Sequence, residues 1–224
     1  MKTLFFYQIQ IIPSQFTQKS THFFMVSVHY DKYRTMYNAH QVKEFANQYL
    51  DHYQYYLVAH SKFHPRGQAI GCINRHRNRL SDKLSKTLKE LTFRLVPNFH
   101  SLSPKEKNLA RFLTFTTIEG LDTNDIQSMT THFNILLGNL PSEVTKEIVE
   151  KEFLDIWAKQ MKESDRFWIE EAQDLERRNG DEDPFRAVNG YIVKDGYKNK
   201  SKSWSCEGFW DVQNTFIPHD ALLG

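Results

Sequence analysis

Three residues near the middle of the chain have the types and the spacing of metal ligands. His132 and Asn134 are two positions apart in THFNILL, and alternate residues of a β-strand project from the same face of its sheet. Imidazole nitrogen is a common ligand of divalent metals, and an amide carbonyl oxygen suits Mg²⁺ or Mn²⁺. Glu119 ends the preceding segment RFLTFTTIE, so pairing of the two segments would bring its carboxylate to the same place. These side chains predict a Mg²⁺ or Mn²⁺ site with open positions for a phosphate.

A second group of residues has the character of a nucleophile and its companion. Tyr191 and Lys194 are three positions apart in NGYIVKDG and would share one face of a helix. A tyrosine oxygen attacks a phosphodiester when the charge on the phosphate is stabilised, and a nearby lysine orients that phosphate. Tyr197 is the alternative nucleophile, although it lies beyond Gly196 and off the helical face of Tyr191. The ordinary alternative is a buried helical tyrosine beside a surface lysine.

The segments that carry these residues have the patterns of strands and helices. Residues 111–119 and 130–137 are rich in β-branched and aromatic residues, and the turn-rich segment between them predicts an antiparallel pair. Apolar residues at helical spacing and turn signals predict most of the other elements. These are a strand over residues 21–30 and helices over residues 41–59, 80–96, 142–176 and 185–198.

Composition excludes several classes of protein. The chain has 224 residues, of which 25% are charged, and a mean hydropathy of −0.60 with no long apolar run, so no membrane span is expected. Two cysteines cannot build a disulfide framework or a four-cysteine zinc site. Gln8 and Gln10 interrupt the only apolar stretch near the first residue, which argues against a signal peptide and predicts a cytoplasmic protein.

Charge is unevenly distributed along the chain, although the net charge is only +2. Residues 62–111 contain twelve Lys and Arg against three acids, whereas residues 143–183 contain fourteen acids against seven Lys and Arg. A basic region beside an acidic one is typical of a nucleic-acid surface and a solvated face that avoids it. The candidate phosphate contacts are Arg75, Arg77 and Arg79. Two ordinary solvated surfaces would give the same pattern.

Taken in order, these features resemble the HUH endonucleases, the nickases that begin rolling-circle replication, with the related relaxases and transposases. The matching pieces are the acid that ends a strand (Glu119), the His-apolar-polar motif of the next strand (His132-Phe133-Asn134) and a helix with Tyr191 and Lys194. The resemblance covers residues 111–198 and one uncertain strand, for which FMVSVHYD and FLTFTT are both candidates. The family motif usually has a second His where this chain has Asn134, a weaker and neutral ligand.

The resemblance implies a fold, a reaction and partners. The fold would be α+β, with a central antiparallel sheet of about five strands, helices packed on it and a basic helical insertion at about residues 32–110 of a single domain. The activity would be metal-dependent nicking and rejoining of single-stranded or hairpin DNA through a 5′-phosphotyrosyl intermediate on Tyr191, with Mg²⁺ or Mn²⁺ held by Glu119, His132 and Asn134. A separate helicase and host replication proteins would supply any unwinding.

Two other functions remain open at this stage. A non-catalytic DNA-binding regulator on the same fold is one, because Asn134 weakens the metal motif. A mostly helical adaptor is the other, in which the motif is a coincidence and Glu119, His132 and Tyr191 lie far apart.

Overall fold

The computed structural model describes residues 7–8, 25–26, 44–121, 130–171 and 210–218. The chain divides into two units, Met1–Met36 and Tyr37–Gly224. In the first unit, strand β1 (Tyr7–Gln8) pairs antiparallel with strand β2 (Met25–Val26). Strand β2 lies within the strand predicted over residues 21–30, and the rest of that segment lies outside the described residues.

The second unit contains a four-stranded antiparallel sheet. Its strands are β3 (Tyr53–His60), β4 (Leu113–Glu119), β5 (His132–Gly138) and β6 (Phe167–Glu171), in the spatial order β4-β5-β3-β6. The predicted antiparallel pairing of β4 with β5 is confirmed. The α+β class with an antiparallel sheet is also confirmed, with four strands in place of about five.

Two sequence predictions in this unit are wrong. Within the described part of the helix predicted over residues 41–59, residues 44–47 are α-helical and Leu50–His52 form a 3₁₀ turn, whereas Tyr53–His60 is strand β3, in the interior of the sheet. This part of the predicted helical insertion therefore belongs to the sheet. The long helix predicted over residues 142–176 is also shorter than expected, because strand β6 follows it at Phe167–Glu171.

Apart from residues 44–47 and short 3₁₀ turns, three α-helices are described. Helix α1 (Ile70–Leu95) contains the predicted helix 80–96 and begins ten residues earlier, helix α2 is Pro104–Leu109, and helix α3 is Lys146–Leu154. Helix α2 begins with a capping box in which the Ser103 side chain accepts from Glu106 N. One π-helical turn, Asp155–Gln160, continues α3. None of the described helices is both long and apolar enough to cross a lipid bilayer.

The sheet is covered on both faces. Helices α1 and α3 pack on the face that carries Leu57, Phe133 and Ile135. The other face carries Tyr56, Phe115 and Leu136 and packs against Trp210 and Ala46. Because both faces are buried, the strands have long continuous apolar runs in place of alternation between apolar and polar residues.

A short C-terminal segment, residues 210–218, lies along the outer edge of β4. Phe216 N donates to Thr114 O at 2.8 Å and Asp211 N donates to Thr116 O at 2.9 Å. The buried Asp211 carboxylate accepts from Ser81 Oγ on α1 and from Asn214 Nδ2, at 2.7 and 2.6 Å. The segment therefore joins the sheet edge to α1.

Candidate functional site

The three predicted metal ligands lie on one face of the sheet. They occupy two neighbouring rows, where a row is the set of residues directly opposite one another on adjacent strands. Glu119 is directly opposite His132 in the β4–β5 ladder, and Thr117 is directly opposite Asn134. Strand β4 ends at Glu119 because the next residue, Gly120, turns the chain with φ of 72°. Since directly opposed residues of antiparallel strands project to the same side, His132 and Asn134 share this face with Glu119.

Glu119 and His132 are in direct contact. His132 Nε2 lies 3.2 Å from Glu119 Oε2, and both residues are buried. Two ligand atoms at neighbouring corners of an octahedral Mg²⁺ ion, each about 2.1 Å from it, are about 3.0 Å apart. The spacing of these two atoms therefore fits that of a shared metal ion.

The tautomer of His132 follows from its other nitrogen. His132 Nδ1 lies 3.2 Å from the backbone oxygen of Thr130. A carbonyl oxygen can only accept, so Nδ1 carries a proton in this contact. Nε2 of a neutral His132 then presents a lone pair to Glu119 Oε2, so the contact is favourable when a proton lies on one of the two groups or when both groups bind the same cation.

Asn134 is held by a tyrosine that the sequence analysis placed on a helix. Tyr56 Oη donates to Asn134 Oδ1 at 2.6 Å, across the β3–β5 pair. Asn134 is 1% exposed, and its Nδ2 has no hydrogen-bond partner among the described residues. Thr117 Oγ1, on the same row, also lacks a partner within this part of the chain. Asn134 Nδ2 is a hydrogen-bond donor and cannot bind a cation, so only Oδ1 of this amide could serve as a metal ligand.

His60 completes the row on the third strand. It lies directly opposite His132 in the β3–β5 ladder, and the two rings are stacked with centroids 5.0 Å apart. His60 Nδ1 is 3.0 Å from Thr130 Oγ1, so Thr130 contacts both imidazoles. Burial, together with the nearby charges of His132 and Arg166, lowers the pKa of His60 to about 4. The ring is therefore neutral near pH 7.

The donor set fits a hard divalent cation, with one imidazole, one carboxylate and one amide oxygen. Within the described residues, no group of three or more His, Cys, Asp and Glu side chains is arranged to hold a metal ion. Asn134, the third ligand predicted from the sequence, lies on the same face of the sheet as Glu119 and His132.

The three candidate arginines lie on helix α1 and do not form one surface. Arg75 and Arg79 are exposed and four positions apart, so they share a helical face. Arg77 is half-buried, and its charge acts on the buried Asp211. Burial nevertheless raises the pKa of Asp211 above its usual value.

The first turns of α1 lie at the same end of the sheet as the candidate metal centre. Thr131 N, next to His132, donates to Phe63 O at 3.1 Å. The Phe63 ring stacks on His76 of α1, with centroids 4.1 Å apart. Arg75 flanks His76 in the chain and is exposed, but α1 packs on the opposite face of the sheet from Glu119, His132 and Asn134.

Tyr191, Lys194 and Tyr197 lie outside the described residues. Two residues of the site, Tyr56 and His60, were missed because β3 was interpreted as a helix. Its run YQYYLVAH, dense in aromatic and apolar residues and followed by a loop with Pro65 and Gly67, was the signal that could have identified a strand. Comparisons of the chain with family models, with curated proteins and with solved structures found no match.

Proposed function

We propose that this chain is a metal-dependent nickase and strand-transferase of single-stranded DNA that begins rolling-circle replication of a plasmid, phage or mobile element. The observation that carries the proposal is the contact between Glu119 Oε2 and His132 Nε2, 3.2 Å apart, with Asn134 on the same face. The pairing of β4 with β5 supports the proposal, because it puts Glu119 directly opposite His132.

In this proposal, Glu119, His132 and Asn134 hold Mg²⁺ or Mn²⁺ through an oxygen, Nε2 and Oδ1. When bound, the metal polarises the scissile phosphate and neutralises charge on its oxygens. The Thr130 carbonyl keeps the proton on His132 Nδ1 and so leaves Nε2 as a lone pair.

The chemical step is assigned to Tyr191 by the resemblance. The tyrosine oxygen loses its proton and bonds to phosphorus, the bond from phosphorus to the 3′ oxygen breaks, and that oxygen takes up a proton. The products are a 5′-phosphotyrosyl link and a free 3′-hydroxyl, which can prime synthesis. Lys194, three positions further along, balances charge on the phosphate. Reversal of the step rejoins the strand.

The substrate in this proposal is single-stranded or hairpin DNA. The exposed Arg75 and Arg79 would supply cations for its phosphates. A separate helicase and host replication proteins would open a duplex.

A DNA-binding regulator on the same fold is the second candidate, and the neutral Asn134 is the observation that favours it. The third alternative was a mostly helical adaptor with scattered motif residues. The described residues instead form a sheet with helices, and Glu119 contacts His132, which makes this alternative the least supported of the three.

An adduct assay tests the proposal. The protein is mixed with labelled single-stranded oligonucleotides and Mn²⁺, and the products are separated on a denaturing gel. We expect a shifted band that EDTA and Tyr191→Phe abolish and that Tyr197→Phe, the matched control, leaves in place. DNA binding without an adduct from any oligonucleotide would favour the regulator and contradict the nickase.

A further inference from the structure

The contact between Tyr56 and Asn134 is short, buried and specific to one atom. Tyr56 Oη donates to Asn134 Oδ1 at 2.6 Å, and the two residues are 78 positions apart in the chain. Tyr56 is 4% exposed. Its ring packs edge-on against Trp168 of β6, with centroids 5.4 Å apart, so the hydroxyl has little freedom to move.

An asparagine is a harder ligand to place than a histidine or a carboxylate. Only its carbonyl oxygen binds a metal, and rotation of the amide by half a turn would present the nitrogen instead. A hydrogen bond to Oδ1 favours one of the two orientations. The oxygen can still bind a metal, because a carbonyl oxygen has two lone pairs and the hydrogen bond occupies only one of them.

We propose that Tyr56 is a positioning residue that makes Asn134 an effective metal ligand in this chain. The hydroxyl holds the amide with its oxygen fixed, and so compensates for the missing second histidine of the motif. The inference rests on the proposed function, because it assumes that Glu119, His132 and Asn134 bind a divalent metal. Partners that orient metal ligands in this way typically contribute 10- to 100-fold to metal affinity.

Binding of Mn²⁺ to the full chain without DNA tests this role apart from catalysis. Free Mn²⁺ is measured by electron paramagnetic resonance during titration of the wild type, Tyr56→Phe and Tyr55→Phe. Tyr55 is the matched control, because it is the next residue of the same strand and its hydroxyl bonds to Val144 O at 3.1 Å on the opposite face. We expect the Mn²⁺ dissociation constant to rise about tenfold in Tyr56→Phe and to stay unchanged in Tyr55→Phe.

A double-mutant cycle separates positioning from a general structural effect. If Tyr56 acts through Asn134, Tyr56→Phe should change Mn²⁺ affinity little once Asn134→Ala has removed the ligand. An equal loss in both backgrounds would overturn the proposal. Each variant is first checked for a cooperative thermal transition, and Tyr56→Met, which also lacks the hydroxyl, replaces Tyr56→Phe if the latter does not fold.

The adduct assay then distinguishes this inference from the proposed function. With excess Mn²⁺, Tyr56→Phe should recover adduct formation, whereas Tyr191→Phe should not. If the Mn²⁺ affinities change as expected but the wild type forms no adduct, the nickase proposal fails and the positioning role of Tyr56 stands. It is overturned if the wild type binds no Mn²⁺, if Tyr56→Phe binds it equally well, or if Tyr56→Phe loses the adduct at every Mn²⁺ concentration with normal affinity.

Discussion

Replacing Glu119 with Gln should change the stability of the metal-free protein little, but should remove most of the stabilisation that bound metal provides. The carboxylate is 3% exposed, and its Oε2 is 3.2 Å from His132 Nε2. Gln has nearly the same shape, and its amide can donate to the Nε2 lone pair, so a contact survives. The variant also avoids the cost of burying a charge. We therefore expect Glu119→Gln without metal to unfold within about 1 kcal/mol of the wild type.

Bound metal should stabilise the wild type more than Glu119→Gln. A ligand that binds only the folded state at 100 times its dissociation constant stabilises it by about 2.7 kcal/mol. For a chain of this size, 1 kcal/mol corresponds to roughly 2–4 °C in melting temperature. We thus expect Mn²⁺ to raise the melting temperature of the wild type by about 5–10 °C. Glu119→Gln replaces the only anionic donor of the set with a neutral one, so most of that rise should disappear.

Differential scanning calorimetry in metal-free buffer, with and without Mn²⁺, measures both quantities. Glu152→Gln is the matched control, because Glu152 pairs with Arg94 on the helical surface and is not one of the proposed metal ligands. An equal rise in melting temperature for the wild type and Glu119→Gln would show that Mn²⁺ binds elsewhere. The absence of any rise in the wild type would contradict the metal centre itself.

Two further predictions concern the sheet and the DNA surface. A Cβ at Gly138 would overlap the backbone oxygen of His52, so Gly138→Ala should lower the free energy of unfolding by about 3 kcal/mol in urea titrations. Gly71→Ala, with no atom within 4 Å of the added Cβ, should be neutral or stabilising. Arg79→Ala should weaken DNA binding equally for all sequences and reduce the salt slope by about 1. Arg94→Ala, which removes a cation already paired with acids, should leave that slope unchanged.

The sequence predicted the pairing of β4 with β5, which brings Glu119 close to His132, because a turn-rich connection joins the two strands directly. It failed for β3. Tyr53, Tyr56 and Leu57 are spaced as on a helix, and burial on both faces of the sheet removed the alternation that identifies a strand. The short strand β6 was lost within a longer predicted helix for a similar reason: its segment FWIEE is brief and carries no turn signal of its own.

The same failure explains why Tyr56 and His60 were missing from the predicted site. In an antiparallel sheet, the end of one strand lies beside the start of the next, so the chain can bring Glu119 and His132 together by local folding alone. Strand β3 joins them only through pairing across a long stretch of chain, since Tyr56 and Asn134 are 78 positions apart. Local pattern does not encode such a contact. A site whose ligands come from consecutive strands can therefore be located from sequence, while the residues that orient those ligands emerge only when the whole sheet is assembled.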